Sequence, residues 1–279
     1  MRYLTPLVSG FADAIEPVSP ALIGKVMRIL FISGEVAPFS NTSEIATLVR
    51  HLPEALFETG DYETRIMMPR YGTVSERRNR LHEVIRLSGS EIKLGDVTEV
   101  LKVKVASIPG IRLQVYFMDN QHYFKRKGIF ADRQGVLFPD NLDRAAFYAR
   151  SVIRTIRNLG WQPDYVHAFG WLSGFVPYVL RTEFAGDELF EDSKVIYTPE
   201  TVSFDSRIES GHLQSLSLTD NKDLIGKAPT ELGAMFADAV ILPPSAESSP
   251  GTPQFSEDVD AQLGEATAVY EGLLSSVLA

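Results

Sequence analysis

An α/β fold with a mostly parallel, doubly wound sheet of Rossmann type is the class this sequence predicts, on three observations. A short apolar run, Arg28 to Ile32, breaks at Ser33-Gly34 and leads through a polar loop into apolar residues at helical spacing. The same alternation of short apolar runs with longer amphipathic segments recurs to about residue 242. One exception interrupts it, two neighbouring strand-like runs joined by a Pro-Gly turn.

The elements follow in order. Arg28–Ile32 is the first strand, and Ile45, Leu48, Val49, Leu52 and Leu56 mark the buried face of the first helix. Thr64–Met68 is a second strand, stopped at Pro69. Val100–Val105 and Leu113–Phe117 alternate in strand fashion around Pro109-Gly110, which predicts an antiparallel hairpin inserted in the parallel sheet. Pro139-Asp-Asn141 opens an amphipathic helix through Ala145, Tyr148, Val152, Ile156 and Leu159, with Gly160 as its stop. Asp164–Ala168 is a strand, Leu172–Phe184 a helix, and Lys194–Thr198 a strand. A helix ends over Leu232–Phe236, and Ala239–Leu242 is a last strand before Pro243-Pro244. The reading divides the chain into a 1–26 extension, a body over 27–245, a Ser/Pro-rich linker over 246–256 and a docking helix over 257–279.

Composition narrows the function classes. With 44% hydrophobic and 23% charged residues the chain has ordinary globular material, and its net charge of −9 argues against a general nucleic-acid or anionic-membrane surface. The basic clusters Arg77-Arg78 with Arg80, and Lys125-Arg126-Lys127, read as solvated surface. Zero cysteines removes disulfides, thiol nucleophiles and thiolate metal sites, and suits a cytoplasmic setting. No apolar run approaches the roughly 20 residues of a membrane span. Pro6, Gly10, Asp13 and Glu16 break any signal-peptide core, so residues 1–26 read as a flexible or artefactual extension ahead of Met27. The five histidines, at 51, 82, 122, 167 and 212, lack ligand spacing. No P-loop, G-x-S-x-G or H-E-x-x-H pattern occurs. No metal and no cofactor is expected, and spacing assigns no catalytic residue.

The motifs resemble the N-terminal half of bacterial glycogen and starch synthases. Ser33, Glu35 to Phe39, Thr42, Ala46, Val49, Leu52, Pro53, Ala55 and Leu56 match the opening S-S-E-V-A-P-F-x-K-T-G-G-L-A-D-V-x-x-x-L-P-x-A-L. Pro69-Arg-Tyr-Gly72, Asp119 with Arg126 and Gly128, and Pro139-Asp-Asn141 with Arg144 and Phe147 are similar to later family motifs. So are Leu159-Gly-Trp-Gln-Pro-Asp164, Val166-His-Ala168 with Trp171, and Phe236-Ala-Asp238. The resemblance implies the N-terminal half of a GT-B glycosyltransferase and ADP-glucose-dependent, retaining synthesis of α-1,4-glucan. It also implies that a second domain holds most of the nucleotide sugar and supplies the cations for the leaving diphosphate. This chain reads as a short form without that domain, inactive alone or dependent on a second polypeptide, since one electrostatic donor is worth about 2.7–4 kcal/mol. The other class of reading is a non-catalytic glucan-binding or regulatory protein.

The family's Lys and two glycines in the first loop are Asn41, Ser43 and Glu44 here. Asn41 and Glu44 stand in N-x-x-E spacing, which reads either as a capping box or as what remains of a ligand loop, with Glu44 repelling phosphate. Asp140 and Asn141 read either as contacts to the sugar or as the cap of the helix they precede. His167 is placed at a strand end on the rim where open α/β sheets bind ligands; Trp171 either stacks on a sugar or packs beneath its loop. Phe124, Leu172 and Glu200 fall where the family keeps a tyrosine and two histidines. The candidate binding residues are therefore Asn41, Asp140, Asn141, His167 and Trp171. The expected ligand is a neutral maltooligosaccharide or α-glucan ahead of ADP-glucose.

Overall fold

The computed structural model describes residues 25–202, 204, 206–218 and 221–275. The extension read over 1–26 therefore lies, up to residue 24, outside the described residues.

Strand β1 (Met27–Ser33) leads into helix α1 (Glu44–Thr59), and β2 (Tyr62–Pro69) follows. A short helix α2 (Glu76–Asn79) and strands β3 (His82–Glu83), β4 (Ser90–Leu94), β5 (Val97–Ser107) and β6 (Gln114–Asp119) form the insertion. Then come α3 (Asn141–Leu159), β7 (Tyr165–Phe169), α4 (Phe175–Thr182) and β8 (Lys194–Thr198). A short α5 (His212–Ser215), α6 (Pro229–Phe236), β9 (Ala239–Val240) and α7 (Val259–Ser275) complete the chain.

The sheet order is β3-β5-β6-β2-β1-β7-β8-β9, with β4 paired to β5 off this path. From β6 to β9 every neighbouring pair is parallel. The β5–β6, β3–β5 and β4–β5 pairs are antiparallel, the hairpin expected around Pro109-Gly110. The order 6-2-1-7-8 is doubly wound, and it reverses direction between β1 and β7. Ligands enter such sheets outside the carboxyl ends of the strands at that reversal.

The central strands are apolar on both faces because helices cover both. Ile29 to Ile32, Val166, Ala168, Val195 and Ile196 are fully or almost fully buried. Helices α1 and α7 pack together, as do α3 and α4. Helix α3 stops at Gly160, whose φ of 66° forms the left-handed cap; its N–H bonds the Ile156 and Arg157 carbonyls. Buried Tyr148 on α3 places its hydroxyl 2.9 Å from Ser33 O and 2.8 Å from Met67 O, fixing α3 against the ends of β1 and β2. The segment expected as helix from Leu172 begins as a 3-10 turn over Trp171–Ser173 before α4. Residues 246–256 form turns held to the body, with Gln254 bridging Leu242 and Phe255 buried.

Candidate functional site

A cavity of about 440 Å³ opens at the carboxyl ends of β1, β7 and β8, against the N-terminus of α1. The loop after β1 gives it Gly34, Glu35, Thr42, Ser43 and Glu44. Ile129 and Phe130 form one wall, Trp171 and Glu200 another, and Ser245 closes the side beyond β9.

Glu35 organises the first loop. Its carboxylate is nearly buried and accepts the Thr42 N–H at 3.1 Å, the Thr42 hydroxyl at 2.9 Å, the Ser43 hydroxyl at 3.0 Å, and the Ser40 hydroxyl. An anion is favoured where a helix N-terminus presents free N–H groups and a positive dipole end. Here the chain's own carboxylate sits just before that end and takes the donors of the entering turn. This corrects the capping-box expectation: the residue preceding α1 is Ser43, which makes no side-chain cap, and Asn41 is exposed and caps nothing. Glu44, on the cavity's edge, accepts the Ser245 N–H at 3.1 Å and the Ser245 hydroxyl.

Glu200 follows β8 and is half-buried. Burial pushes its carboxyl up to about 7, the Glu35 charge adds to this, and the Trp171 N–H, donating to Glu200 Oε2 at 3.4 Å, partly opposes it. Gly170 allows this approach. Its φ of 75° and ψ of 175° lie in a region open essentially to glycine, and a Cβ there would stand 2.6 Å from Glu200 Oε2.

The aromatic wall runs through three rings. Trp171, only 4% exposed, meets Phe204 edge-on at 5.2 Å, and Phe130 lies 4.9 Å from the same ring. Trp171 thus packs beneath its loop while showing part of its surface to the cavity.

The other expected residues support the site or leave it. Asp140 holds Arg126 in a two-pronged ion pair with both contacts at 2.5 Å, and makes no side-chain cap. Asn141 is buried; its Nδ2 donates to Phe130 O at 2.9 Å and its Oδ1 accepts from Arg144 at 2.8 Å. This pair anchors the 126–130 loop that carries Ile129 and Phe130, so the cap reading gives way to loop support. His167 is not at the rim. Strand β7 runs two residues past it, and the ring is fully buried between the Tyr270 hydroxyl at 2.7 Å and the Thr198 hydroxyl at 2.9 Å. Burial lowers its pKa well below the usual histidine value, so it is a neutral core group tying α7 to the sheet. Glu35 and Glu200 are not among the candidate binding residues of the sequence reading, although each lies two residues beyond the end of a strand, where a doubly wound sheet places ligand contacts.

Three carboxylates, several hydroxyls and an aromatic wall line the cavity, and none of its lining side chains is a cation. Such a lining accepts hydrogen bonds from a polyol and repels a diphosphate. Among the described residues no group of three or more His, Asp or Glu is arranged to hold a metal ion.

The profile of the starch synthase catalytic domain matches residues 28–242. The chain belongs to this family. It is 42% identical over 176 residues to a glycogen synthase of Chlorobium limicola, covering 63% of this chain and 36% of that protein. It is 35% identical over 260 residues to the glycogen synthase of Chlorobaculum parvum, covering 90% and 53%. The chain thus spans between about a third and about half the length of these curated relatives. Among solved structures, the catalytic domain of Arabidopsis thaliana starch synthase IV, bound to ADP and acarbose, superposes with a TM-score of 0.66 at 17% identity. That match covers 88% of this chain and 50% of the other, and shows the shared GT-B-type fold.

Proposed function

We propose that this family member serves α-1,4-glucan metabolism in the cytoplasm by binding a neutral glucan at the carboxyl rim of the sheet, and by itself transfers no glucose from ADP-glucose. The observation that carries this is the cavity lining: Glu35, Glu44 and Glu200 converge with no cation, and Glu35 already engages the Thr42 N–H in the turn entering α1. A leaving diphosphate has nothing here to stabilise it. In this reading glucosyl transfer needs a second polypeptide that brings positive charge over the rim. The 27–245 body forms the site and closes its side through the Ser245–Glu44 contact, the 246–256 segment is tied to it through Gln254, and helix α7, in the 257–279 segment, braces the sheet behind it.

Two measurements test the reading. Incorporation of radiolabelled ADP-glucose into glycogen by the purified chain should be absent; turnover near the median enzyme rate of about 10 per second overturns it. NMR titration with maltooligosaccharides should show millimolar binding, about −4 kcal/mol, with weaker or no binding of ADP-glucose. Trp171→Ala and Phe130→Ala should each weaken glucan binding. Tight ADP-glucose binding, or glucan binding indifferent to both substitutions, places the site elsewhere.

A further inference from the structure

A second and larger cavity, about 690 Å³, lies beside the β5–β6 turn and shares no lining residue with the acidic one. Its lining contains no acidic residue and three arginines, Arg78, Arg80 and Arg112. The sequence separates Arg112 from the other two by some thirty residues. The β3–β5 pairing, with His82 opposite Val105, brings the end of α2 alongside the β5–β6 turn and so gathers them around one hollow.

These charges are uncompensated. Among the described residues the guanidinium groups of Arg78, Arg80 and Arg112 form no ion pair and no hydrogen bond. The acid nearest them in sequence, Glu76, is already held by Arg70 at 2.5 Å and Lys104 at 2.8 Å. Glu83, just past His82, pairs with Lys102 at 3.7 Å. Arg80 also adopts a left-handed conformation, with φ 52° and ψ 46°, at the end of α2. On a chain with net charge −9 this leaves a local concentration of positive charge around a cavity that also presents His82 and Gln114. Arginine forks match the geometry of phosphate oxygens, and like charges held together are relieved by a bound dianion.

We infer that this groove is an oxyanion site that binds the phosphate group of a small molecule, either free phosphate or a phosphorylated sugar. It is separate from the glucan cavity and opposite to it in charge. The linear reading of Arg77, Arg78 and Arg80 as plain solvated surface misses it because Arg112 joins them only in the fold.

Calorimetric titration of the full chain at low salt, with inorganic phosphate, glucose 1-phosphate and glucose, tests this. Both phosphates should bind and glucose should not, with affinity falling as salt rises. Arg112→Gln should weaken phosphate binding about tenfold, as expected for losing one hydrogen bond to a charged group, and R78Q/R80Q/R112Q should abolish it. All three arginines are exposed, so the variants should melt with the parent and still bind maltooligosaccharide as it does. Glucose 1-phosphate binding more tightly than inorganic phosphate identifies a phosphorylated sugar as the ligand, and equal binding identifies the phosphate alone. Failure of both phosphates to bind at millimolar concentration overturns the assignment, as does Arg112→Gln with unchanged affinity.

Discussion

Replacing Glu200 with glutamine should make this protein more stable above about pH 4.5, and most at neutral and alkaline pH. The carboxyl stands at about 7 in the fold against an ordinary 4.5, chiefly because it is buried and secondarily because Glu35 lies near. Between those two values the folded chain holds a proton that the unfolded chain has released. Stability therefore falls as pH rises through this window, and above it the full cost of a buried negative charge is present. The gap corresponds to roughly 3 kcal/mol. Glutamine carries no charge, keeps an oxygen to accept the Trp171 N–H, and occupies the same volume beside Gly170. The variant should gain about 2–3 kcal/mol at pH 8, a rise in Tm of roughly 5–10 °C for a chain of this size. Its advantage should shrink steadily toward pH 4.5 and disappear there. Denaturant titration followed by circular dichroism across that range measures both the gain and its slope. A variant no more stable than the parent at pH 8, or an advantage that does not change with pH, refutes the assignment of a strained charge to Glu200.

Three further outcomes follow from the same contacts. Gly170→Ala forces a side chain into a glycine-only backbone region and against Glu200 Oε2, and should cost at least about 2 kcal/mol, seen as a lower urea midpoint. Tyr270→Phe removes the hydroxyl on His167 Nδ1 and leaves a buried ring nitrogen unpaired, for a loss of about 1–3 kcal/mol by the same measurement; an unchanged midpoint would mean α7 contributes nothing through this contact. A chain beginning at Met27 gives up, among described contacts, the exposed Lys25–Asp164 pair, and its Tm should stay within about 2 °C of the parent.

The sheet was legible in the sequence because burial on both faces writes itself as apolar runs such as Ile29–Ile32 and Val195–Tyr197, separated by helical periodicity. Gly160 was legible as a helix stop because few residues other than glycine cap comfortably with φ near 66°. The site was harder, and for a common reason: each missed role depends on a partner distant along the chain. Asn41 and Glu44 have capping-box spacing, yet the loop path presents the Glu35 carboxylate to Thr42 and Ser43, and Glu44 turns to Ser245, 201 residues away. His167 reads as a rim residue when the strand ends at Ala168; β7 runs on to Phe169 and the His167 ring lies level with Tyr270 of a helix 103 residues downstream. Asp140 and Asn141 each carried two readings, cap or ligand contact, and the fold gives them a third because Arg126 and Phe130 O come within reach. Glu200 shows why such roles escape linear reading. A glutamate after a strand is unremarkable until Gly170 withholds a side chain, Trp171 turns its N–H inward and Glu35 arrives from another loop. Its charge state is then a property of three loops rather than of its own neighbours, and the acidity of the whole cavity follows from that convergence.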